Sequence, residues 1–227
     1  QAQKLKDAGL ERVTVSLDSL DDKIFQSMND SGVPVAVILD GIEAAREAGL
    51  APIKVNAVVK RGTNDHTLVD LARHFKGTGV IVRFIEFMDV GATNGWRMEN
   101  VVPARELVER IDAELPIEPA EANYRGEVAQ RWHYKDGSGE IGMITSISQP
   151  FCGDCTRARL SPEGELYTCL FAVRGHDFRS RLRNGASDEE IAEFLASVWH
   201  IRDDRYSELR TAETALLPKV EMSHIGG

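Results

Sequence analysis

The fold of this chain is decided by residues 53–59, IKVNAVV, a short run dominated by apolar and branched side chains. Such a run between polar segments predicts a β-strand. Runs of the same kind occupy residues 12–18, RVTVSLD, and residues 80–87, VIVRFIEF. The intervening segments predict helices at residues 22–28, 35–48 and 66–76, the last one capped by Asn64 and Asp65. Strands and helices alternating at this pitch indicate parallel βα units and therefore an α/β fold.

Polar side chains interrupt these apolar strands. In parallel βα folds, ligands bind at the carboxyl ends of the strands. We therefore expect a site at the tips of the three strands, formed by Ser16, Asp18, Lys54, Asn56, Arg83, Glu86 and Met88. Lys54 is informative because a charged side chain in an apolar strand is costly to bury unless it meets an anion. The alternatives are that Lys54 starts its strand in solvent and that Met88 packs as an ordinary apolar side chain.

The chain after Gly91 has a different pattern and predicts a smaller α+β region. Short antiparallel strands are predicted within residues 131–134, 141–146 and 159–171, and helices over residues 103–114 and 188–199. The hairpin in the third of these strand segments should bring Cys169 beside Cys152 and Cys155. The charged run RDDR at residues 202–205 is predicted to be a solvated face, as charge runs usually are.

All three cysteines lie close together, as C-x2-C-x13-C in the segment that begins FCGDCTRARL at residue 151. Three thiolates without a fourth are the ligands of an iron–sulfur cluster with one open iron, or of a zinc site completed by histidine or water. Arg157 and Arg159 follow directly, and guanidinium groups beside an open iron suit an anionic, nitrogen-bearing substrate. An odd number of cysteines in this pattern favours reduced thiolates in the cytoplasm over disulfides.

Composition argues against several classes of protein. The 227 residues carry a formal net charge of −9, which disfavours general nucleic-acid binding because a phosphate backbone demands a positive face. No run approaches 18 apolar residues, which argues against a membrane span, and no secretory leader opens the chain.

The two ends of the chain are unusual. Residues 1–10 predict the last turns of a helix with Gly9 at its C-terminal cap, as if the helix began earlier. The other end closes on Gly226 and Gly227. Terminal glycines usually fray, although a tail without side chains can enter a narrow cavity. Local sequence alone favours fraying.

Several motifs together resemble one family. The segment CGDCTRARLSPEGELYTCLF, with RFIEFMDVG, VSLDSLDD, KVNAVV, IRDDRYSE and the closing Gly-Gly, is similar to the GTP 3′,8-cyclase family of radical S-adenosylmethionine enzymes. The resemblance covers essentially all 227 residues. That family also carries a C-x3-C-x2-C motif near its N-terminus, whereas no cysteine precedes Cys152 here. The chain therefore reads as the later part of such an enzyme, inactive by itself.

The resemblance implies the later βα units of an incomplete (βα)6 TIM-like barrel at residues 1–95. A smaller α+β iron–sulfur domain is implied at residues 96–227. In the family, GTP becomes (8S)-3′,8-cyclo-7,8-dihydroguanosine 5′-triphosphate during molybdenum cofactor biosynthesis. The implied partners are GTP, S-adenosylmethionine and a cyclic pyranopterin monophosphate synthase that takes the product, with no nucleic acid or membrane, in a monomer or homodimer.

The resemblance also assigns residues. It implies that Cys152, Cys155 and Cys169 hold a second [4Fe–4S] cluster whose open iron takes the guanine base, and that a first cluster belongs to the region before this chain. GTP contacts are implied at Lys54, Arg157, Ala158 and Arg159, and S-adenosylmethionine contacts at Ser16 and Met88. Gly226 and Gly227 match a catalytic tail that reaches into the active site, against the local preference for fraying.

Two other functions stay open. One is a different radical S-adenosylmethionine enzyme whose auxiliary cluster serves a peptide substrate, which the Arg157 and Arg159 pair disfavours. The other is a zinc-binding interaction module in which a histidine such as His176 completes the three cysteines. Metal content separates the zinc module from the cluster protein.

Overall fold

The computed structural model describes residues 1–29, 31–211, 214 and 218–225. These residues form two compact units. The first contains residues 1–87 and 99–149, and the second contains residues 88–98 and those from 150 onward. Within the described residues, none of the helices combines the length and the apolar character needed to cross a membrane.

The first unit is built on a six-stranded sheet in the order β1-β2-β3-β6-β5-β4. The strands β1, β2, β3 and β6 are parallel, while β5 runs antiparallel to both β6 and β4. The sheet is thus mixed, with a parallel majority. Its strands are β1 Val13–Ser16, β2 Ile53–Val59, β3 Ile81–Glu86, β4 Ile117–Ala120, β5 Ala129–Tyr134 and β6 Glu140–Ile144.

Helices pack on one face of this sheet, except the first of them, which buries no residue and contacts the third. They are α1 Ala2–Asp7, α2 Asp22–Met28, α3 Val35–Glu47, α4 Leu68–Phe75 and α5 Ala104–Asp112. Alternate residues of β2 are buried in the core, and the residues between them are only partly buried. The core side chains include Ile53, Val55, Ala57 and Val59 from β2, Ile42 and Ala45 from α3, Leu71 and Ala72 from α4, and Leu107 and Ile111 from α5. Alternation leaves the opposite face of the strand available for polar side chains.

The predicted parallel βα units are confirmed, because β1, β2 and β3 form where apolar runs predicted strands. The predicted N-terminal helix is also confirmed, with Gly9 at a φ of +97° just after it. Strands 131–134 and 141–146 are antiparallel as expected, but β6 also pairs in parallel with β3. No pattern in the sequence indicated that second pairing.

The predicted cap of α4 is wrong. The helix begins at Leu68 after Thr67, rather than at residue 66 after Asn64 and Asp65. Asn64 is buried, and its amide donates to the carbonyl oxygens of Asp18 and Val58 and accepts from the backbone N–H of Lys60. The side chain therefore joins two strand ends instead of capping a helix.

The second unit contains a three-stranded antiparallel sheet and two helices. The elements are β7 Arg159–Leu160, β8 Glu165–Tyr167, β9 His176–Asp177, α6 Arg179–Arg183 and α7 Asp188–His200. The predicted hairpin within residues 159–171 is confirmed as β7 and β8, with Gly164 at a φ of +80° in the turn. The predicted helix 188–199 is confirmed as α7, which begins with a capping box between Ser187 and Glu190.

Candidate functional site

A polar patch lies on the partly buried face of the first unit's sheet, opposite the core. Asn56 is the register partner of Ser16 on one side and of Arg83 on the other. Arg83 Nε donates to Asn56 Oδ1 at 2.8 Å. Gly142 on β6 faces Arg83, and a Cβ there would lie 3.2 Å from Arg83 Cγ. A side chain at position 142 would crowd the guanidinium stem, so glycine leaves room for Arg83.

Lys54 belongs to the same face, but its predicted position was wrong. It is the second residue of β2 and lies near the amino end of the strand, not at its tip. Its side chain is partly buried. Burial lowers the pKa of Lys54, and the positive charge of Arg83 lowers it further. Burial also lowers the pKa of Arg83. Two cations partly withdrawn from water on one face favour a bound anion.

Two carboxylates at the predicted strand tips have structural partners. Asp18 Oδ1 accepts from the backbone N–H of Val58 at 2.8 Å, and burial raises the pKa of Asp18. Glu86 is fully buried and accepts from the backbone N–H groups of Ala104, Ile147 and Ser148. Both side chains join segments of the scaffold. Ser16, by contrast, is exposed at the end of β1.

The three cysteines lie in the second unit as free, partly buried thiols. A 3-10 turn spans Cys152–Asp154, and the backbone N–H of Phe171 donates to Cys169 Sγ at 3.4 Å. Burial raises the pKa of Cys169, and the charges of Cys152 and Cys155 contribute to that increase. Among the described residues, no three His, Cys, Asp or Glu side chains already form a metal-binding group.

Arg157 and Arg159 are placed beside these thiols. Arg157 Nη2 donates to Cys155 Sγ at 3.4 Å, and its guanidinium lies 5.1 Å from the centre of the Phe151 ring. Arg157 Nε is buried and has no hydrogen-bond partner in the described part of the chain. Burial and the charge of Arg157 lower the pKa of Arg159, while the thiolates of Cys155 and Cys169 oppose that decrease. Ala158, between the arginines, is exposed.

The charged run at residues 202–205 is only in part the solvated face that was predicted, because Asp203 and Arg205 are exposed whereas Arg202 and Asp204 are not. The Arg202 and Asp204 side chains are 10% and 24% exposed, with 3.0 Å between Nε and Oδ2. Arg202 Nη1 also donates to the carbonyl oxygen of Cys155, and Thr168 Oγ1 donates to Asp204. The pair thus joins the backbone of Cys155 to the residue before Cys169. Arg205, at 65% exposure, does face solvent.

Comparison with known proteins assigns the family. The profile described as the Radical SAM superfamily matches residues 1–75, and that described as Molybdenum Cofactor Synthesis C matches residues 80–208. A protein named GTP 3′,8-cyclase from Acidothermus cellulolyticus is 49% identical, over 100% of this chain and 69% of its own length. This chain belongs to the GTP 3′,8-cyclase family. Relatives of the same name from Xanthomonas axonopodis pv. citri and Staphylococcus aureus strain Newman are 49% and 46% identical, over 100% and 99% of this chain and 67% of each relative.

The resemblance seen in the motifs is thereby confirmed. The chain spans about two thirds of the length of these GTP 3′,8-cyclases. The radical SAM family implies a [4Fe–4S] cluster and S-adenosylmethionine. The match to Molybdenum Cofactor Synthesis C includes Cys152, Cys155 and Cys169 and the two arginines between them.

Two further site predictions from the GTP 3′,8-cyclase resemblance concern Met88 and the C-terminus. Met88 is partly buried, and its carbonyl oxygen accepts from Asn94 Nδ2 at 2.8 Å. Gly226 and Gly227 lie outside the described residues. The segment before them is described, and Ile225 is buried.

Sequence reasoning missed Arg202 and Asp204 as part of the cysteine region. Their partners Cys155 and Thr168 are 47 and 36 residues away in the chain, so no local pattern joins them. The one available signal was the motif IRDDRYSE, which contributed to the family resemblance but was not connected to the cysteines.

Proposed function

We propose that this chain supplies the GTP site and the second [4Fe–4S] cluster site of a GTP 3′,8-cyclase. The reaction converts GTP to (8S)-3′,8-cyclo-7,8-dihydroguanosine 5′-triphosphate in molybdenum cofactor biosynthesis. One observation carries the proposal: Arg157 donates to Cys155 Sγ, and its buried Nε has no hydrogen-bond partner among the residues that the structure describes. An unsatisfied buried donor is costly, and an anionic ligand would remove that cost.

The donor set of the second unit fits a [4Fe–4S] cluster with one open iron. Cys152, Cys155 and Cys169 are the three thiolate donors, and no other cysteine exists in the chain. Arg157 and Arg202 favour the thiolate, because their hydrogen bonds hold the pKa of Cys155 below its ordinary value although burial opposes them. When bound, the cluster would supply a Lewis-acidic iron for the guanine base.

The cationic residues would bind the triphosphate. Arg157 and Arg159 offer planar forks that match phosphate oxygens, and Ala158 between them offers its exposed backbone. Lys54 is proposed as a further contact, since burial and Arg83 disfavour its charged form without an anion. These residues bind and orient the nucleotide and transfer no proton.

S-adenosylmethionine is the second ligand in the proposal. Ser16 at the end of β1 and Met88 after β3 are the proposed contacts. Gly226 and Gly227 are proposed as the tail that closes the active site without side chains. A first [4Fe–4S] cluster needs the C-x3-C-x2-C motif, which these 227 residues do not contain. We therefore expect the 227-residue chain alone not to turn over GTP.

The finer architecture is part of the same proposal. Residues 1–95 would be the later βα units of an incomplete (βα)6 barrel, and residues 96–227 the smaller α+β iron–sulfur domain. The parallel pairing of β1 with β2 and of β2 with β3 supports the barrel part. We propose a cytoplasmic monomer or homodimer that passes its product to a cyclic pyranopterin monophosphate synthase.

Anaerobic metal analysis and GTP titration test this function. The protein expressed from its complete gene and purified without oxygen should lose about four irons and four sulfides when Cys152, Cys155 and Cys169 are all replaced by serine. Loss of one zinc instead would establish the zinc-binding module.

GTP binding then tests the arginines. Arg157→Ala and Arg159→Ala should each weaken GTP binding by about 10- to 100-fold, the effect of losing a charged hydrogen bond, with iron content unchanged. Arg205→Ala is the matched control, because that exposed guanidinium pairs with Glu208 instead. Wild-type affinity in both site variants would refute the GTP site.

A further inference from the structure

A buried ionic cluster follows Met88 directly. Asp89 is 2% exposed, and its carboxylate pairs with Arg210 and Lys219, whose side chains are 3% and 1% exposed. The distances are 2.9 Å from Arg210 Nε to Oδ1 and 3.1 Å from Lys219 Nζ to Oδ2. Tyr206 donates its hydroxyl hydrogen to Oδ2 as well. We call Asp89, Tyr206, Arg210 and Lys219 the Asp89 cluster.

Aromatic rings fix the cations of the Asp89 cluster. Phe171 and Tyr206 stack with their centroids 4.6 Å apart, and the Arg210 guanidinium lies 5.1 Å and 5.3 Å from the two rings. Lys219 Nζ lies 5.2 Å from the centre of the Tyr206 ring. Cations held over aromatic faces and paired with one buried carboxylate have few alternative arrangements. The cluster is therefore a rigid joint between residue 89 and residue 219.

A second joint connects the same two segments. Glu221 Oε1 accepts from the backbone N–H of Ala92 at 2.9 Å, and Thr93 Oγ1 lies 3.4 Å from Oε2. Gly91 has a φ of +64°, and a Cβ on it would lie 2.1 Å from Glu221 Oε2. Glycine at position 91 thus lets the carboxylate reach the loop. The loop at residues 88–94 is joined to the segment at residues 218–225 in two places.

We propose that Asp89 and Glu221 are positioning residues for the C-terminal Gly226-Gly227. The two joints hold the described segment at residues 218–225, which leads directly into these glycines, at a fixed position relative to Met88. This inference rests on the proposed roles of Met88, Gly226 and Gly227. Each residue spans at most about 3.6 Å, so the two glycines cannot compensate for a displaced residue 225 by more than about 7 Å.

The test combines hydrogen exchange with kinetics in the protein expressed from its complete gene. Asp89→Asn keeps the size of the side chain and removes its charge, and Glu221→Gln does the same at the second joint. In both variants, amide exchange in residues 218–225 should accelerate at least tenfold while exchange in α7 stays unchanged. The kcat should fall at least tenfold with the KM for GTP within twofold of wild type, because the variants leave the proposed GTP contacts intact. Glu208→Gln, at a surface pair with Arg205, should change neither quantity.

A variant that lacks Gly226 and Gly227 separates the proposed function of the tail from the positioning role of Asp89 and Glu221. It should lose turnover. Normal turnover of the deletion variant would refute the proposed function of the tail. An inactive deletion variant together with wild-type exchange and kcat in the two joint variants would overturn the positioning role alone.

Two results distinguish a positioning role from a general loss of structure in the second unit. Exchange that rises equally in α7 and in residues 218–225 would mean general loosening of the unit and would overturn the proposal. If Asp89→Asn does not fold, Glu221→Gln decides, because Glu221 is partly exposed and its loss opens no core cavity. Wild-type kinetics in a folded Glu221→Gln protein would then refute the positioning role.

Discussion

Replacing Glu86 by glutamine should remove a large part of the stability of the first unit. The carboxylate has no contact with solvent and accepts hydrogen bonds at 2.8 Å from three backbone N–H groups, those of Ala104, Ile147 and Ser148. Ser148 Oγ donates a fourth. These donors come from the start of α5 and from the segment after β6. Glu86 is therefore the common acceptor of two otherwise separate parts of the chain.

The expected magnitude follows from those donors. A buried donor left without a partner costs about 1–3 kcal/mol. In Glu86→Gln the remaining oxygen still accepts, but the amide nitrogen faces the donors of Ile147 and Ser148 and cannot. Ser148 is exposed, so water can replace one of the two lost bonds. We expect a loss of about 2–4 kcal/mol in the free energy of unfolding, and about 3–5 kcal/mol for Glu86→Ala, which also leaves a cavity.

Chemical denaturation of the 227-residue chain, followed by tryptophan fluorescence, measures this loss. Glu114→Gln is a matched control, because Glu114 pairs with Arg73 at the surface, where both side chains are about half exposed. The free energy of unfolding of Glu114→Gln should fall by less than about 0.5 kcal/mol. If Glu86→Gln were as stable as Glu114→Gln, the buried carboxylate would not join these segments and the reasoning would be refuted.

Three other substitutions test the scaffold and the cysteine region. Burial raises the pKa of Asp18, so the wild-type protein should lose stability as pH rises and this carboxyl ionises in the folded state. The free energy of unfolding of Asp18→Asn, measured by denaturation and compared with that of wild type, should therefore increase from about pH 4 to pH 7. A difference that stays constant with pH would contradict this. Asn64→Ala removes three hydrogen bonds to partly buried backbone groups and should cost about 2–4 kcal/mol of unfolding free energy. Arg202→Lys cannot keep the bonds to both Cys155 and Asp204, so amide exchange at residues 150–157 should rise about tenfold, whereas Arg205→Lys should leave it unchanged.

The strands and helices of the first unit could be predicted where one residue pattern determines them. Residues 53–59 alternate between buried and partly buried positions in the structure as β-periodicity requires. The same alternation puts Lys54 on the polar face of the strand, but it does not show which end of the strand carries the site, and Lys54 lies near the amino end. Likewise, asparagine often caps helices, but the Asn64 side chain donates instead to the carbonyl oxygens of Asp18 and Val58.

The chemistry of the site could be predicted where its residues are close together in the sequence. Cys152, Cys155 and the two arginines fall within eight residues, so their spacing alone indicated a thiolate site with cations. Arg202 and the Asp89 cluster were missed because their partners are far away in the chain and charge runs are usually solvated. The roles of Ser16, Lys54, Met88 and the terminal glycines remain predictions.

The pairing of β6 with β3 has a consequence for folding during synthesis of the chain. Ile85 at the end of β3 pairs with Ile144, so the neighbour of β3 emerges from the ribosome long after β3 itself. At typical synthesis rates of about 5–20 residues per second, the outer edge of β3 waits roughly 3–12 s for its partner. During that interval an apolar strand presents unpaired backbone groups to other nascent chains. The growing polypeptide should therefore depend on chaperones most strongly in the window between these two strands.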